Sequence, residues 1–368
     1  MSAAAAIDDT RFMELALRLG RRGFGRTWPN PAVGAVIVKD GVIVGRGWTQ
    51  PGGRPHAEVE ALRRAGAAAR GATLYVTLEP CSHFGKTPPC ADAIIAAGIT
   101  RVVSAIEDTN PKVAGAGHGR LRAAGITVDI GIGAEAARRH HAGHIRRMTE
   151  GRPHVTLKLA ISANGKAGGA GRRPLAITAE PARQRVHLLR GQSDAIMIGI
   201  GTVLADDPML SCRLPGMCQN SPLRIVLDTA LRLPATSRLV QTARQIPVWV
   251  VTGHGAPTAA ANALRTHAVE VFRSAETGGK LDLAAVLKML GARGVTRLLL
   301  EGGPTLASAM LVADLVDDAI LFHSPIIVGN DGIDALDAAG AAALARHLTL
   351  VDSEAVGPDR RDNFDRRH

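Results

Sequence analysis

His56-Ala57-Glu58, read with Pro80-Cys81 and Pro89-Cys90 downstream, is the stretch that decides the fold of the first half of this chain. One imidazole and two thiolates are three ligands for a tetrahedral zinc. Three protein ligands leave the fourth position for water, which separates a catalytic zinc site from a closed structural one. Glu58 stands two residues beyond the His, where it can reach that water without binding the metal. Zinc deaminases carry this pattern: the metal activates water, the Glu moves protons, and an amino group leaves as ammonia. The eight residues 82–89 between the two Cys make a longer loop than the short form of the pattern. A structural zinc would need a fourth protein ligand, for which His83 is the nearby candidate. Cys212 and Cys218 fit no ligand spacing and read as ordinary thiols.

Working outward, 368 residues are enough for two domains, and 46% hydrophobic with 21% charged residues is a globular composition. Aromatics make up only 3%, so the cores must be built from Ala, Val, Leu and Ile. No apolar run reaches the roughly 18 residues of a membrane span, and residues 1–9 lack the basic and apolar regions of a signal peptide. With two of four Cys assigned to metal, a reducing compartment, the cytoplasm, is expected. The net charge of +11 raises a nucleic-acid reading. Against it, the Arg residues are dispersed and stacking aromatics are few, and a positive field equally suits a phosphorylated substrate and cofactor. We therefore expect no nucleic-acid and no membrane partner.

Residues 10–20 have helical spacing at Phe12, Leu15, Ala16 and Leu19, and 33–38 and 42–44 read as strands joined by the hairpin signal Lys39-Asp40-Gly41. Residues 56–69 read as a helix with His-Ala-Glu in its first turn, 73–78 as a strand, and a helix starts at Cys90. Strands at 102–106 and 126–130 flank a short helix at 121–124. This alternation implies a sheet covered by helices on both faces. A single helix is predicted over 134–148, with His140, His141 and His144 on a solvated basic face. Glu150-Gly151-Arg152-Pro153 breaks it, giving domains 1–150 and 151–368. The second domain alternates again, with strands at 154–161, 195–198, 224–227, 248–251 and 297–300 and helices at 182–189 and 283–290. Gly302-Gly303 before a helix at Pro304, and Gly199-Ile200-Gly201-Thr202 after a strand, are turns suited to phosphate. Neither is a full dinucleotide fingerprint; together they favour a nucleotide cofactor.

Along nearly the whole chain these residues resemble the bifunctional deaminase–reductase family of riboflavin biosynthesis. Thr27-Trp28-Pro29-Asn30-Pro31-Ala32-Val33-Gly34, His56-Ala57-Glu58, Glu79-Pro80-Cys81, Pro88-Pro89-Cys90 and Asp108-Thr109-Asn110-Pro111 look like its deaminase half. Lys158-Leu159-Ala160, Leu189-Arg190, Gly201-Thr202, Asp206-Asp207-Pro208 and Glu301-Gly302-Gly303-Pro304-Thr305 look like its reductase half.

The resemblance implies a cytidine-deaminase-like three-layer αβα domain followed by a dihydrofolate-reductase-like αβ domain. It implies two reactions: hydrolytic deamination of 2,5-diamino-6-(5-phosphoribosylamino)pyrimidin-4-one, then NADPH-dependent reduction of the ribosyl unit to a ribityl chain. Carried over by position, His56, Cys81 and Cys90 bind zinc and Glu58 shuttles protons. Asn30 and the 82–89 loop with His83 hold the pyrimidine ribotide. Ala160, Ala176, Thr202, Asp206, Thr229 and Gly303 fall at NADPH, while Lys158, Pro174, Arg190, Leu210, Arg213 and Glu301 fall at substrate. A homo-oligomer, dimer or tetramer, is expected. Thr49, Asn164, Pro174 and Ala176 depart from the family's usual residues, three of them in the reductase half. They keep a second reading in view, a working deaminase with a C-terminal binding or assembly domain.

Overall fold

The computed structural model describes residues 3–85, 88–111, 113–172 and 175–367 and divides into two compact units between Arg152 and Pro153. The first unit runs α1 (Ala3–Gly20), β1 (Gly34–Lys39), β2 (Val42–Trp48), α2 (Ala57–Ala65), β3 (Thr73–Val76), α3 (Cys90–Ala96), β4 (Arg101–Ser104), α4 (Ala116–Ala123), β5 (Thr127–Ile130), α5 (Ala134–His140) and α6 (Ala142–Glu150). Its sheet has the order β2-β1-β3-β4-β5; β1 is antiparallel to both neighbours and β3, β4 and β5 are parallel. The β1–β2 hairpin closes with Lys39 opposite Val42, and Asp40 (φ 50) and Gly41 (φ 76) both take the left-handed conformation that matches strand twist.

Two glycines bring helices onto opposite faces of this sheet. A Cβ on Gly34 would lie 1.8 Å from Ala16 O of α1, and one on Gly47 would lie 2.1 Å from Ala57 O of α2. Gly47 is the cross-strand partner of Ala35, the next residue after Gly34, so the two glycines face opposite sides. The backbone of α2, which presents His56 and Glu58, is thus pressed onto the sheet. Asp9 of α1 ties the other layer down. Its carboxylate takes both Arg101 Nη groups, at 2.9 and 2.8 Å, and the Tyr75 hydroxyl at 2.6 Å.

Two expectations for this unit change. The helix predicted over 134–148 is α5 and α6, broken at His141 (φ −95, ψ 12). His140, His141 and His144 are buried, not solvated. Their Nε2 atoms meet Ala32 O at 2.6 Å, Thr77 Oγ1 at 3.0 Å and Asp108 Oδ1 at 2.8 Å. Charged and polar composition concealed an inward-facing row, because each imidazole has its own acceptor within the core.

The second unit continues with β6 (His154–Ile161), β7 (Lys166–Gly168), α7 (Glu180–Gly191), β8 (Ala195–Gly199), α8 (Ile200–Asp206), β9 (Leu223–Leu227), α9 (Arg238–Gln241), β10 (Val248–Thr252), α10 (Thr258–Thr266) and β11 (Val269–Arg273). After a small hairpin, β12 (Glu276–Thr277) and β13 (Lys280–Leu281), come α11 (Leu283–Ala292), β14 (Arg297–Leu300), α12 (Pro304–Val312), β15 (Asp318–His323), β16 (Ile333–Asp334), α13 (Ala338–His347), β17 (Leu348–Val356) and β18 (Asp359–Arg366). The nine-stranded sheet has the order β11-β10-β9-β8-β14-β6-β15-β18-β17. It is parallel from β11 to β15, and β18 and β17 add antiparallel strands. After β6 the chain steps outward through β8, β9, β10 and β11, then returns to insert β14 between β8 and β6. The carboxyl ends of β6, β8, β9 and β14 therefore share one edge at a topological switch, where open α/β sheets bind ligands.

The Arg residues near the end of the sequence, Arg360, Arg361 and Arg366, belong to β18. Arg360 pairs with Asp362 at 2.9 Å, Arg361 with Glu354 at 3.2 Å and Arg366 with Asp314 at 2.8 Å. No helix among the described residues is long and apolar enough to cross a membrane.

Candidate functional site

In the first unit, two helix starts and one loop converge. His56 is the N-cap of α2, Cys90 is the first residue of α3, and Cys81 follows β3. His56 Nδ1 lies 3.3 Å from Cys90 Sγ and 3.6 Å from Cys81 Sγ, and the Cys90 amide donates to Cys81 Sγ at 3.3 Å. One donor atom from each residue falls within 4.8 Å of the others. The Cys90 thiol, donating to Cys81, pulls the Cys81 thiol down to about 4 against the cost of burial. The same hydrogen bond, with burial, holds Cys90 well above its ordinary value.

This donor set fits zinc: one imidazole and two sulfurs, one a thiolate at neutral pH. His83 is exposed and outside the cluster, so the described residues supply three ligands and not the four of a structural site. Glu58, in the first turn of α2, is 3% exposed, and its Oε2 has no hydrogen-bond partner among the described residues. Burial pushes its carboxyl above the ordinary range. A buried acceptor without a donor is costly, and here it stands beside the ligand set.

The surroundings explain two other motif residues. Asn30 Nδ2 donates to Gly53 O at 2.8 Å, fixing the segment that leads into His56. Thr49 is 1% exposed, and its Oγ1 accepts from the Val33 amide at 3.0 Å, so this departure from the family has a packing role. The reading of motifs missed Glu79. Its Oε2 accepts from the amides of Asp108 (3.1 Å) and Gly115 (3.0 Å), and its Oε1 from those of Gly117 (2.8 Å) and His118 (3.1 Å). Glu79, Glu107 and His118 also bring donor atoms within 4.8 Å. The four amides occupy Glu79, however, so its carboxylate serves as a clamp on the 108–118 segment. The signal was present in Glu-Pro-Cys, where a Glu two residues before a ligand had no assigned partner.

In the second unit, the register that sets Leu300 beside Leu157 places Glu301 next to Lys158. Arg190 of α7 grips Glu301 with Nε at 2.7 Å and Nη2 at 2.8 Å, and its Nη1 donates to Ser211 O at 3.3 Å. Burial opposes the charge on Glu301, yet Arg190 holds its carboxyl below the usual range. Burial pushes the Lys158 ammonium down, with Glu301 opposing and Arg190 adding to the shift. The guanidinium expected to face a substrate anion is thus largely committed to Glu301. Ser211 lies between Leu210, which is buried with φ 53, and the 212–213 segment, where the Arg213 amide approaches His187 Nδ1 at 3.3 Å. Lys158, Arg190, Glu301, Leu210 and Arg213 therefore form one neighbourhood, with the Arg213 side chain exposed.

Thr202 and Gly303 form a second pair. A Cβ on Gly303 would meet Thr202 Oγ1 at 3.3 Å with nothing else within 4 Å, a cradle that a side chain would fill. Gly303 caps α12 without a side chain, Pro304 opens the helix without an N–H, and the Leu306 and Ala307 amides turn back to Gly303 O at 3.0 and 3.1 Å, so the helix start offers a phosphate its dipole and the Thr305 amide. The arrangement fits a phosphorylated dinucleotide such as NADPH. Ala160 is on β6 and Asp206 ends α8, where burial raises its carboxyl. Thr229 follows β9, its carbonyl accepting from the Gly253 amide at 3.0 Å. Ala176 is exposed, and Pro174 lies outside the described residues. Asn164 bridges a turn, taking the Ser162 hydroxyl at 2.8 Å and the Val328 amide at 3.1 Å on Oδ1.

Residues 6–106 match the cytidine and deoxycytidylate deaminase zinc-binding region, and residues 153–360 match the RibD C-terminal domain. The riboflavin biosynthesis protein RibD of Escherichia coli is 42% identical over 96% of this chain and 98% of its own length. That of Aquifex aeolicus is 41% identical over 88% of each chain. Among solved structures, Acinetobacter baumannii RibD superposes with a TM-score of 0.87 at 35% identity, covering 99% of this chain and 100% of that one. A Thermotoga maritima diaminohydroxyphosphoribosylaminopyrimidine deaminase/5-amino-6-(5-phosphoribosylamino)uracil reductase gives 0.86 at 33% identity with the same coverage. With a zinc-binding deaminase region ahead of a reductase domain, and relatives matched over nearly their whole length, the chain belongs to the RibD family of riboflavin biosynthesis proteins.

Proposed function

We propose that residues 1–150 deaminate 2,5-diamino-6-(5-phosphoribosylamino)pyrimidin-4-one and that residues 151–368 reduce the ribosyl unit of the product with NADPH. The observation that carries the first step is the buried Glu58 oxygen without a partner beside His56, Cys81 and Cys90. Zinc held there supplies a Lewis acid that makes water a nucleophile at neutral pH. Glu58 takes a proton from the attacking water and returns it to the departing amine, for which a raised carboxyl pKa is suited. Asn30 and the 82–89 loop, with His83, orient the pyrimidine ribotide.

In the second step, the Thr202–Gly303 cradle and the start of α12 hold a cofactor phosphate, and Ala160, Ala176, Asp206 and Thr229 contribute to the rest of the NADPH site. Lys158 stands by the ribose as a proton donor, its ammonium made more acidic by burial. Glu301, oriented by Arg190, sets the local charge; Arg213, Leu210 and Pro174 complete the substrate side. The intact Lys158–Glu301–Arg190 cluster favours a working reductase over a purely structural C-terminal domain. A homo-oligomer, dimer or tetramer, and a cytoplasmic location belong to the same proposal.

The test supplies purified protein with the diamino ribotide and follows ammonia release and NADPH oxidation separately. Both signals, in that order, are the expected result. Ammonia without NADPH oxidation would select the deaminase-only reading, and neither signal would reject the assignment.

A further inference from the structure

Arg224 of β9 is a buried cation that neither reaction uses. Its side chain is 0% exposed, and burial alone pushes its guanidinium down to about 10, so it remains charged at neutral pH. No ion pair joins it to a carboxylate among the described residues. Nη1 donates to Thr242 Oγ1 at 2.8 Å and Met209 O at 3.3 Å, Nη2 donates to Leu239 O at 3.3 Å and to Ile246 O, and Nε has no partner. Burying a lone cation among neutral dipoles disfavours the folded state. A core built for stability alone would place an apolar residue there.

The segment it holds is itself strained. Asp207 (φ 39) and Leu210 (φ 53) adopt left-handed backbone within four positions, although neither is glycine. Such conformations persist where surrounding contacts over-determine them, and they cluster at functional sites. The contacts here are visible at both ends. Arg224 secures Met209 O, and two residues on, Ser211 O accepts from Arg190, the residue that grips Glu301. Asp207 Oδ1 in turn accepts from the Arg238 amide at 2.8 Å, at the start of the α9 helix whose Leu239 carbonyl Arg224 also binds.

We propose that Arg224 is a positioning residue for the reductase step: by securing Met209 it fixes the strained 207–213 segment so that Leu210 and Arg213 face the phosphorylated substrate. The inference rests on the proposed reductase reading, in which Leu210 and Arg213 contact that substrate. Arg224 touches neither substrate nor cofactor.

The experiment uses the full-length, zinc-loaded protein carrying Arg224→Met, Arg224→Lys or Thr242→Val. Reductase kinetics are measured with 5-amino-6-(5-phosphoribosylamino)uracil, and NADPH affinity is measured by fluorescence titration, which also counts folded sites. Arg224→Met should raise the substrate KM on the order of tenfold, with kcat per folded site and NADPH Kd within about threefold of wild type, the pattern of lost ground-state positioning. Arg224→Lys should recover part of the affinity, and Thr242→Val should raise KM in the same direction by less. Ammonia release should not change. An unaltered KM in the folded Lys and Val variants, or a parallel loss of NADPH binding and kcat, would overturn the proposal. Wild type that fails to oxidise NADPH with this substrate would instead sink the reductase reading on which the inference rests.

Discussion

The two sites are assembled in opposite ways. In the first unit His56, Glu58, Cys81 and Cys90 lie within 35 consecutive positions and reach one point because two helices begin there. In the second unit Lys158, Arg190 and Glu301 come from a strand, a helix and a strand end far apart in sequence, joined by sheet order. A short-range site can be read from spacing, because spacing and secondary structure alone nearly determine the geometry. A long-range site shows its members in the sequence but not their pairing. Arg190 illustrates this: the resemblance put both Arg190 and Glu301 at the substrate, and only the fold shows that they pair with each other.

The comparison breaks first at Glu58. Glu58→Gln should lower deamination by about 10²–10⁴-fold, the usual contribution of a proton shuttle, while zinc content and reduction of supplied intermediate stay intact. Loss of both activities in folded protein would mean that the two sites are not independent.

Next in size is the ion pair of the second site. Glu301→Ala leaves Arg190 largely buried without its carboxylate and should destabilise the second unit by about 3–5 kcal/mol. The low-melting transition in calorimetry should belong to that unit, with ammonia release unchanged below it. A variant that melts like wild type would show that the pair is not a stability element.

A smaller effect sharpens the comparison from the other side. Asp9 is held below the ordinary carboxylate range, first by its hydrogen bonds to Arg101, with burial opposing. A depressed folded pKa means that its stabilisation is fully present above about pH 4 and is lost as pH falls through the lower folded value. Asp9→Asn should cost the first unit about 2 kcal/mol at pH 7 and flatten the acid limb of its stability. Equal acid sensitivity in both proteins would remove Asp9 from that account.

The smallest effect concerns His118. It is 1% exposed, neither ring nitrogen has a hydrogen-bond partner among the described residues, and Nδ1 stands 3.7 Å from Glu79 Oε2, whose oxygens are taken by backbone amides. Burial lowers its pKa, so its contribution holds above the ordinary imidazole value near 6.5 and weakens as pH falls below it. His118→Leu should stabilise the first unit by about 1 kcal/mol and reduce that pH dependence; destabilisation at pH 7 would point to an additional partner.

Much of the fold was legible. Strands His154–Ile161 and Arg297–Leu300 have their expected bounds, and α3 begins at Cys90 as read. Apolar runs closed by turn residues leave few alternatives there. Where polar residues carried structure, periodicity failed. The 140–144 histidines read as surface because their acceptors, Ala32, Thr77 and Asp108, are remote in sequence. The pairing of Arg361 and Arg366 in β18 could not be read either, because their acids, Glu354 and Asp314, lie on other segments.

By itself, the sequence determined the family, and it singled out His56, Cys81 and Cys90 with Glu58, and the turn at Gly303, as the candidate zinc, proton-transfer and phosphate groups. Each rests on residue chemistry within a few positions and on the helix or strand those positions form. Tertiary structure decided which groups meet each charge: Arg190 with Glu301, Asp9 with Arg101, Glu79 with four amides, and Arg224 with three carbonyls and the Thr242 hydroxyl. Electrostatic partners depend on distance and on exclusion of water, and neither is set until the sheets have closed over their helices.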